Sequence, residues 1–271
     1  MPAADVRPPP ATVILLGTGT SVGVPTIGCG CAVCTSDDPR NRRTRCSIVV
    51  RSDAGRVLVD TPPDLQMQLV RERIPLVNAV VFTHEHADHI FGLDDLRLFP
   101  FRLNGPVPLY ATDVVEQRIR RSFDYAFHER AETHPGSKPR LEFRRIDRDE
   151  PFDVLDQSWM PIPMSHGPHF ETLGFRIGDF AYCTDVSHIP DASFDRLAGV
   201  RTLVLGALRE EPHPTHFNLE QAIEASRRIG ARRTLLTHVG HNLDFAAANR
   251  RLPDGIDLAF DGMRLRINAA S

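Results

Sequence analysis

Thr83-His84-Glu85-His86-Ala87-Asp88-His89 brings three imidazoles and an aspartate together within six residues, directly after the apolar run at 76–82. The run reads as a buried strand, so the cluster sits where a strand ends and the chain turns. Imidazole and carboxylate are the preferred ligands of divalent zinc, iron and manganese. The spacing His-x-His-x-Asp-His can furnish two neighbouring metal sites rather than one. A solitary loop histidine is usually a solvated residue. Four ligand-type residues at this spacing, with more histidine and aspartate downstream, point instead to a metal centre.

Three further residues stand in comparable positions. His166 lies in Met164-Ser165-His166-Gly167, Asp185 follows the apolar stretch at 180–184, and His238 follows that at 233–237. Each is a ligand-type side chain in a turn just past a strand-like segment, where a rigid sheet would hold it. Asp60 ends the strand-like run at 57–59 and is a candidate either to orient a metal histidine or simply to cap its strand.

The remaining pattern mixes hairpins with helices. Strands are expected at 12–16, 47–51, 57–60, 141–146, 173–177, 180–184, 202–205 and 233–237, with a closing hairpin over 258–267 around Asp261-Gly262. Helices are expected at 63–73 and 88–99. Another should carry the stripe Val115, Ile119, Phe123, Ala126 and Phe127, capped by Thr112, and a fourth spans 218–229 behind the capping-box pair Asn218 and Gln221. This mixture predicts an α/β (α+β) domain of two mixed sheets covered by helices. Residues 1–11, rich in proline, read as a flexible tail, and 12–271 as a single domain.

At 271 residues, 41% hydrophobic and 25% charged, the chain has the composition of an ordinary globular protein with material for a sizeable core. A net charge of −3 with scattered arginines gives no electrostatic case for nucleic-acid binding. No signal peptide or membrane span is visible, so a cytoplasmic, reducing setting is expected, in which clustered cysteines are metal ligands rather than disulfides.

Such a cluster exists. Gly28-Cys29-Gly30-Cys31-Ala32-Val33-Cys34 holds three thiols within six residues in turn-like surroundings. Three thiolates and one imidazole make a closed tetrahedral zinc site. His241, three residues beyond His238, is a candidate for the imidazole. Cys46 and Cys183 stand alone in strand-like contexts and read as core residues.

With these residues in view, the chain resembles the metallo-β-lactamase superfamily, whose hallmark is matched by His84, His86, Asp88 and His89. The resemblance implies a four-layer αββα sandwich. It also implies that His84, His86 and His166 hold one active-site metal, that Asp88, His89 and His238 hold a second, and that Asp185 bridges them. The ions would be manganese or zinc, or alternatively iron(II). The Cys-x-Cys-x-x-Cys loop with the His-x-x-His ending resembles the PhnP-type subgroup, the phosphoribosyl cyclic phosphodiesterases, which implies a structural zinc on Cys29, Cys31, Cys34 and His241. A histidine just before a helix serves that subgroup as general acid. His216 is the matching position and His213 its near rival.

The implied activity is hydrolysis of a small cyclic phosphate, either a phosphoribosyl 1,2-cyclic phosphate or a 2′,3′-cyclic nucleotide. Hydroxide shared by two divalent ions would attack phosphorus, and a histidine titrating near neutrality would protonate the leaving alkoxide. Arg102 and Arg209 are candidate phosphate contacts. The expected partner is a small phosphodiester, with no nucleic acid and no membrane, and the resemblance allows a homodimer. Alternatives are an RNA-processing nuclease resembling ribonuclease Z, a thioester or lactam hydrolase, and a non-catalytic metal-binding relative from cofactor biosynthesis. The first lacks here a basic glycine-rich arm, and the last would leave a metal position unfilled.

Overall fold

The computed structural model describes residues 11–128 and 133–269. The first sheet is laid down by β1 (Ala11–Gly17), β2 (Ser47–Arg51), β3 (Arg56–Val59), β4 (Ala79–Val81), β5 (Val107–Ala111) and β6 (Leu141–Arg145), neighbours in that order. The second follows as β7 (Phe152–Val154), β8 (Gln157–His166), β9 (Phe170–Ile177), β10 (Phe180–Cys183), β11 (Thr202–Gly206), β12 (Arg233–Thr237) and β13 (Ile256–Leu258). The chain then returns to the first sheet, where β14 (Arg264–Ile267) pairs antiparallel with β1. The result is two seven-stranded mixed sheets face to face.

Alternation along the strands builds the layers. Inward residues such as Leu15, Val57, Val81, Trp159, Phe175 and Leu235 form the core between the sheets. The outward faces are equally apolar and are covered by helices: Leu58, Val80 and Leu109 pack under one helical layer, Leu203, Leu205 and Leu236 under the other. This is the expected αββα sandwich. Among the described residues, no helix is long and apolar enough to cross a membrane.

Each sheet carries a parallel half, β3 to β6 in one and β10 to β13 in the other. Asp60, the histidine cluster, Asp185 and His238 all follow the carboxyl ends of such strands, where open α/β sheets bind their ligands.

Several expectations need correcting. Strand β1 begins at Ala11, so the tail boundary at residue 11 falls one residue late, and residues 1–10 lie outside the described chain. The expected hairpin over 258–267 is instead a crossing, because β13 belongs to one sheet and β14 to the other. Asp261 in that crossing is buried and accepts from Thr18 Oγ1 at 2.8 Å and Thr44 Oγ1 at 2.6 Å, tying the turn to the first sheet.

The helix expected over 88–99 is broken into a short α-helix at Ala87–Ile90 and a 3-10 segment at Leu93–Leu98. At the break, Gly92 donates to the Thr61 carbonyl, and a Cβ there would stand 2.0 Å from the Pro62 carbonyl oxygen. Only glycine fits that approach. The helix Asp113–Ser122 stops at Phe123, so the apolar stripe spans two helices, and Thr112 makes no side-chain capping bond. Asn218 does form the capping box with Gln221. In the helix expected at 63–73, Leu65 and Leu69 are buried, while Val70, at helical spacing with them, is 67% exposed. Strands β5, β7 and β8 had no clear sequence signal. In β8, Pro161 and Pro163 interrupt the reading, yet both lie beyond the three residues paired to β7, where no donor is required of them.

Candidate metal centre

Three residues of the site sit in left-handed backbone conformations: Asp60 (φ 63°), Asp185 (φ 52°) and His238 (φ 57°). Non-glycine residues occupy that region at a cost of about 1–3 kcal/mol each, held there by the surrounding structure. The turn after each parallel strand thereby aims its side chain back over the strand ends.

The ligand-type atoms converge in two groups. His84, His86 and His166 form one; Asp88, His89, Asp185 and His238 form the other, with the atoms of each within 4.8 Å of one another. Asp185 also groups with His166 and His216, so it stands between the two clusters. Its carboxylate oxygens lie 3.3 Å from His89 Nε2 and 3.1 Å from His238 Nε2.

Hydrogen bonds on the far side of the His84, His89 and His166 rings set which nitrogen faces inward. His89 Nδ1 donates to Asp60 Oδ2 at 2.7 Å, and His166 Nδ1 donates to the Thr215 carbonyl at 2.7 Å. Thr83 gives its hydroxyl proton to Asp60 Oδ2 at 2.8 Å, leaving its oxygen to accept from His84 Nδ1 at 3.0 Å. These three imidazoles therefore turn Nε2 toward the centre. Accordingly, His84 Nε2, His89 Nε2 and His238 Nε2 are buried with no hydrogen-bond partner. Convergent orphaned imidazole nitrogens beside two carboxylates fit divalent ions, and little else would satisfy them.

Electrostatics agree. Burial works against charge on Asp88 and Asp185, yet His89 beside the first, and His238 and His89 beside the second, hold both carboxyls well below the usual range. Burial also opposes charging of His89, but Asp185, Asp88 and Asp60 lift it well above an ordinary imidazole. The same carboxylates that hold a proton there would hold a metal in its place. His84, dominated by burial, falls well below the usual range and stays neutral, as a ligand must.

His216 lies over this centre, its Nδ1 4.0 Å from Asp185 Oδ1 and its ring stacked on His238 at 4.6 Å. His213 sits at the rim instead, accepting from Thr215. Burial first, then His238, pushes His216 down to about 3, with Asp185 pulling the other way. A histidine titrating near neutrality is therefore not what the ion-free site contains.

Arg102 and Arg209 do not reach the centre. Arg102 donates to the Pro75 carbonyl, and Arg209 to those of Glu211 and Pro212. The supporting roles of Thr83 and the Thr215 carbonyl escape sequence reading, although Thr83 heads the decisive motif. Phe170, packed edge-on to His86 at 4.5 Å and 39% exposed, gave no signal at all.

A second centre lies close by. Cys29, Cys31, Cys34 and His241 bring their ligand atoms within 4.8 Å of one another, with His241 Nδ1 at 3.3 Å from Cys29 Sγ and 3.4 Å from Cys31 Sγ. Backbone amides serve the sulfurs: Cys34 N–H points at Cys31 Sγ and Thr26 N–H at Cys34 Sγ. The amide of Cys34, with His241 next, brings Cys31 down to about 6, favouring thiolate. Cys46 and Cys183 are buried core thiols, both pushed up to about 12 by burial.

Comparison with known proteins agrees with this geometry. The model of the beta-lactamase superfamily domain matches residues 55–239. A solved diphosphatase of the PhnP family is 43% identical, with a TM-score of 0.89, over 96% of this chain and 98% of that one. The chain belongs to the metallo-β-lactamase superfamily, in its PhnP family. Membership places this PhnP-family chain among metal-dependent hydrolases that use divalent ions. An octanoyltransferase of Porphyromonas gingivalis is 37% identical over 94% of the chain, which spans only 51% of that longer protein. A ribonuclease Z of Mycobacterium is 27% identical over 94% of this chain and 96% of its own length.

Proposed function

We propose that this PhnP-family chain hydrolyses a small phosphodiester, with a cyclic phosphate of ribose or of a nucleotide as its leading substrate. The observation that carries this reading is His216 poised over two ligand clusters, grouped with His166 of one and Asp185 of the other. His84, His86 and His166 would hold one divalent ion, Asp88, His89 and His238 the other, and Asp185 would contact both. Zinc, manganese and iron(II) all suit this nitrogen and oxygen set. When bound, such a pair supplies a water of lowered pKa and positive charge for the phosphoryl oxygens.

The protein's own groups do the rest. Asp60 and Thr83 fix His89 and His84 in the tautomers that face the centre. His216 is the group positioned to give a proton to the departing sugar oxygen. An anionic phosphoryl group against it would supply the negative charge that favours its protonated form, which burial otherwise suppresses. Cys29, Cys31, Cys34 and His241 would hold a structural zinc.

A second reading, cleavage of a diphosphate linkage, draws on the 43% identical diphosphatase. The two differ in leaving group. A sugar alkoxide needs protonation; a departing phosphate needs it far less. Turnover of a ribose 1,2-cyclic phosphate, a 2′,3′-cyclic nucleotide, a nucleoside diphosphate and bis-p-nitrophenyl phosphate by metal-reconstituted enzyme separates them. His216→Ala should lower cyclic phosphate turnover by about 10²–10⁴-fold and spare the nitrophenyl ester. Undiminished cyclic phosphate hydrolysis by that variant would remove His216 from the mechanism. No phosphoester turnover at all, with both ions bound, would move the assignment to thioester or lactam hydrolysis.

A further inference from the structure

Two phenylalanines stand open beside the metal centre: Phe91 is 53% exposed and Phe170 39%. Exposed singly, such rings mean little. Here both line one cleft of about 210 Å³, whose other walls include Glu85, His86, Arg118 and Ser122. His86 joins the cleft to the chemistry. Of the cluster His84, His86 and His166 it alone is only half-buried, so the cleft lies on the accessible side of the centre.

Neither ring is loose. Phe170 meets His86 edge-on at 4.5 Å, and Phe91 meets Phe123 at 6.0 Å with the planes at 90°. Both are held in place yet remain partly uncovered, which lowers the cost of ordering them around a ligand. The polar walls are equally unspent. Among the described residues, neither the Glu85 carboxylate nor the Arg118 guanidinium makes a hydrogen bond or ion pair. Arg120, on the same helix, is instead bonded to Glu116 at 2.8 Å. Arg118 and Ser122 stand one turn apart on the helix Asp113–Ser122 and so present a single face to the cleft.

An acceptor-only carboxylate and a donor-only guanidinium beside two aromatic walls match a group that is flat and apolar on its faces, with donors and acceptors along its edge. A nucleobase has this form; a bare sugar lacks the faces, and an acyl chain lacks the edge. A larger cavity of about 500 Å³ also borders Phe170, but its cations are already engaged, Arg145 with Asp113 at 2.7 Å and Arg148 with Glu171 at 2.6 Å.

We propose that the cleft lined by Phe91 and Phe170 is a base-binding subsite, in which the two rings stack on a nucleobase of the substrate while Glu85 and Arg118 bond its edge. This rests on the phosphodiester reading above and narrows it. The substrate is a nucleotide, with its scissile phosphate at the ligand clusters and its base beside His86. A phosphoribosyl cyclic phosphate without a base would leave the cleft unused.

The test is calorimetric titration of the metal-loaded full-length protein with the four nucleoside 3′-phosphates and with ribose 5-phosphate. The preferred nucleoside phosphate should bind about 5- to 150-fold more tightly than the sugar phosphate, the range for one base–aromatic stack. Phe91→Leu and Phe170→Leu should each remove most of that preference. Glu85→Gln and Arg118→Met should change the order of the four bases, because each alters the edge contacts and leaves the stack. Equal affinity for ribose 5-phosphate and every nucleoside phosphate, or an undiminished preference in both phenylalanine variants, would overturn the subsite. An unaltered order of bases in both edge variants would remove Glu85 and Arg118 from it. Binding is read without turnover, so the two readings fail separately. Base preference without phosphodiester hydrolysis would keep the subsite and remove the reaction; hydrolysis without base preference would do the reverse.

Discussion

The two metal centres are built by opposite strategies. The active-site centre gathers side chains from the last residue of β8 and the turns after β3, β4, β10 and β12, and three of those residues sit in left-handed backbone. The thiolate centre draws three of its four ligands from one loop of six residues and bends nothing comparable. The first depends on the whole sandwich to bring its parts together. The second is nearly complete in the local sequence and needs only His241 from afar. Reactivity follows the same division: orphaned nitrogens and exposed approach at one centre, a closed set of four ligands at the other.

Substitutions can break this contrast, beginning with the largest effect. Asp185→Asn removes the carboxylate that stands between the two active-site clusters and should abolish turnover beyond the ~10²–10⁴-fold expected for a lost general acid. Metal analysis should show the active-site ions depleted and the thiolate zinc retained. Loss of all the metal together would mean the two centres are one folding unit.

Cys31→Ser should act in the reverse sense, through stability. Loss of a bound metal belongs among the few changes worth about 4 kcal/mol or more. For a domain of this size that corresponds to a fall in Tm of about 8–16 °C. An unchanged thermal midpoint would deny the cluster a structural zinc. Asp60→Asn is a gentler probe of the first centre. It keeps the shape but loses the charge that orients His89, and active-site metal affinity should fall about 10–100-fold with zinc at the cysteines unaffected.

The smallest effect concerns the metal-stripped protein. Cys31 is lowered from 9.0 to about 6 and Cys34 is raised. Since only the thiolate attacks, iodoacetamide at pH 7 should modify Cys31 before Cys34. The sign for stability follows: a depressed thiol contributes fully above the ordinary thiol range, and that contribution is lost as pH falls through about 6. Equal alkylation rates would show that the amide of Cys34 and His241 do not favour the Cys31 thiolate.

The same contrast explains what the sequence could reveal. The His-x-His-x-Asp-His run and the cysteine loop are local patterns, so their chemistry was readable residue by residue. His166, Asp185 and His238 were readable because each ends an apolar stretch. Asp60 remained ambiguous, since a carboxylate at a strand end looks alike whether it caps the strand or holds His89. Phe170 and the Thr215 carbonyl carry no local signature; only the packed fold brings them to a ring. In the scaffold, the prolines of β8 masked a strand that tolerates them on the edge β7 leaves open. The break at Gly92 depends on a carbonyl thirty residues away in sequence. The crossing between β13 and β14 looked like a hairpin because a turn signal says that the chain bends, not which sheet receives it.

That crossing has a consequence for how the protein is made. Strand β14 is the outer partner of β1, with Ala11 opposite Ile267 and Ile14 opposite Arg264. As the chain leaves the ribosome, β1 emerges before every other strand of the two sheets, and its free edge must wait for β14, the last of them, before it is covered. Pairings this distant in sequence are slow to close, and an open edge is a template for the wrong strand. Nascent chains halted before Arg264 should therefore bind chaperones or aggregate, although every metal ligand has already been synthesised.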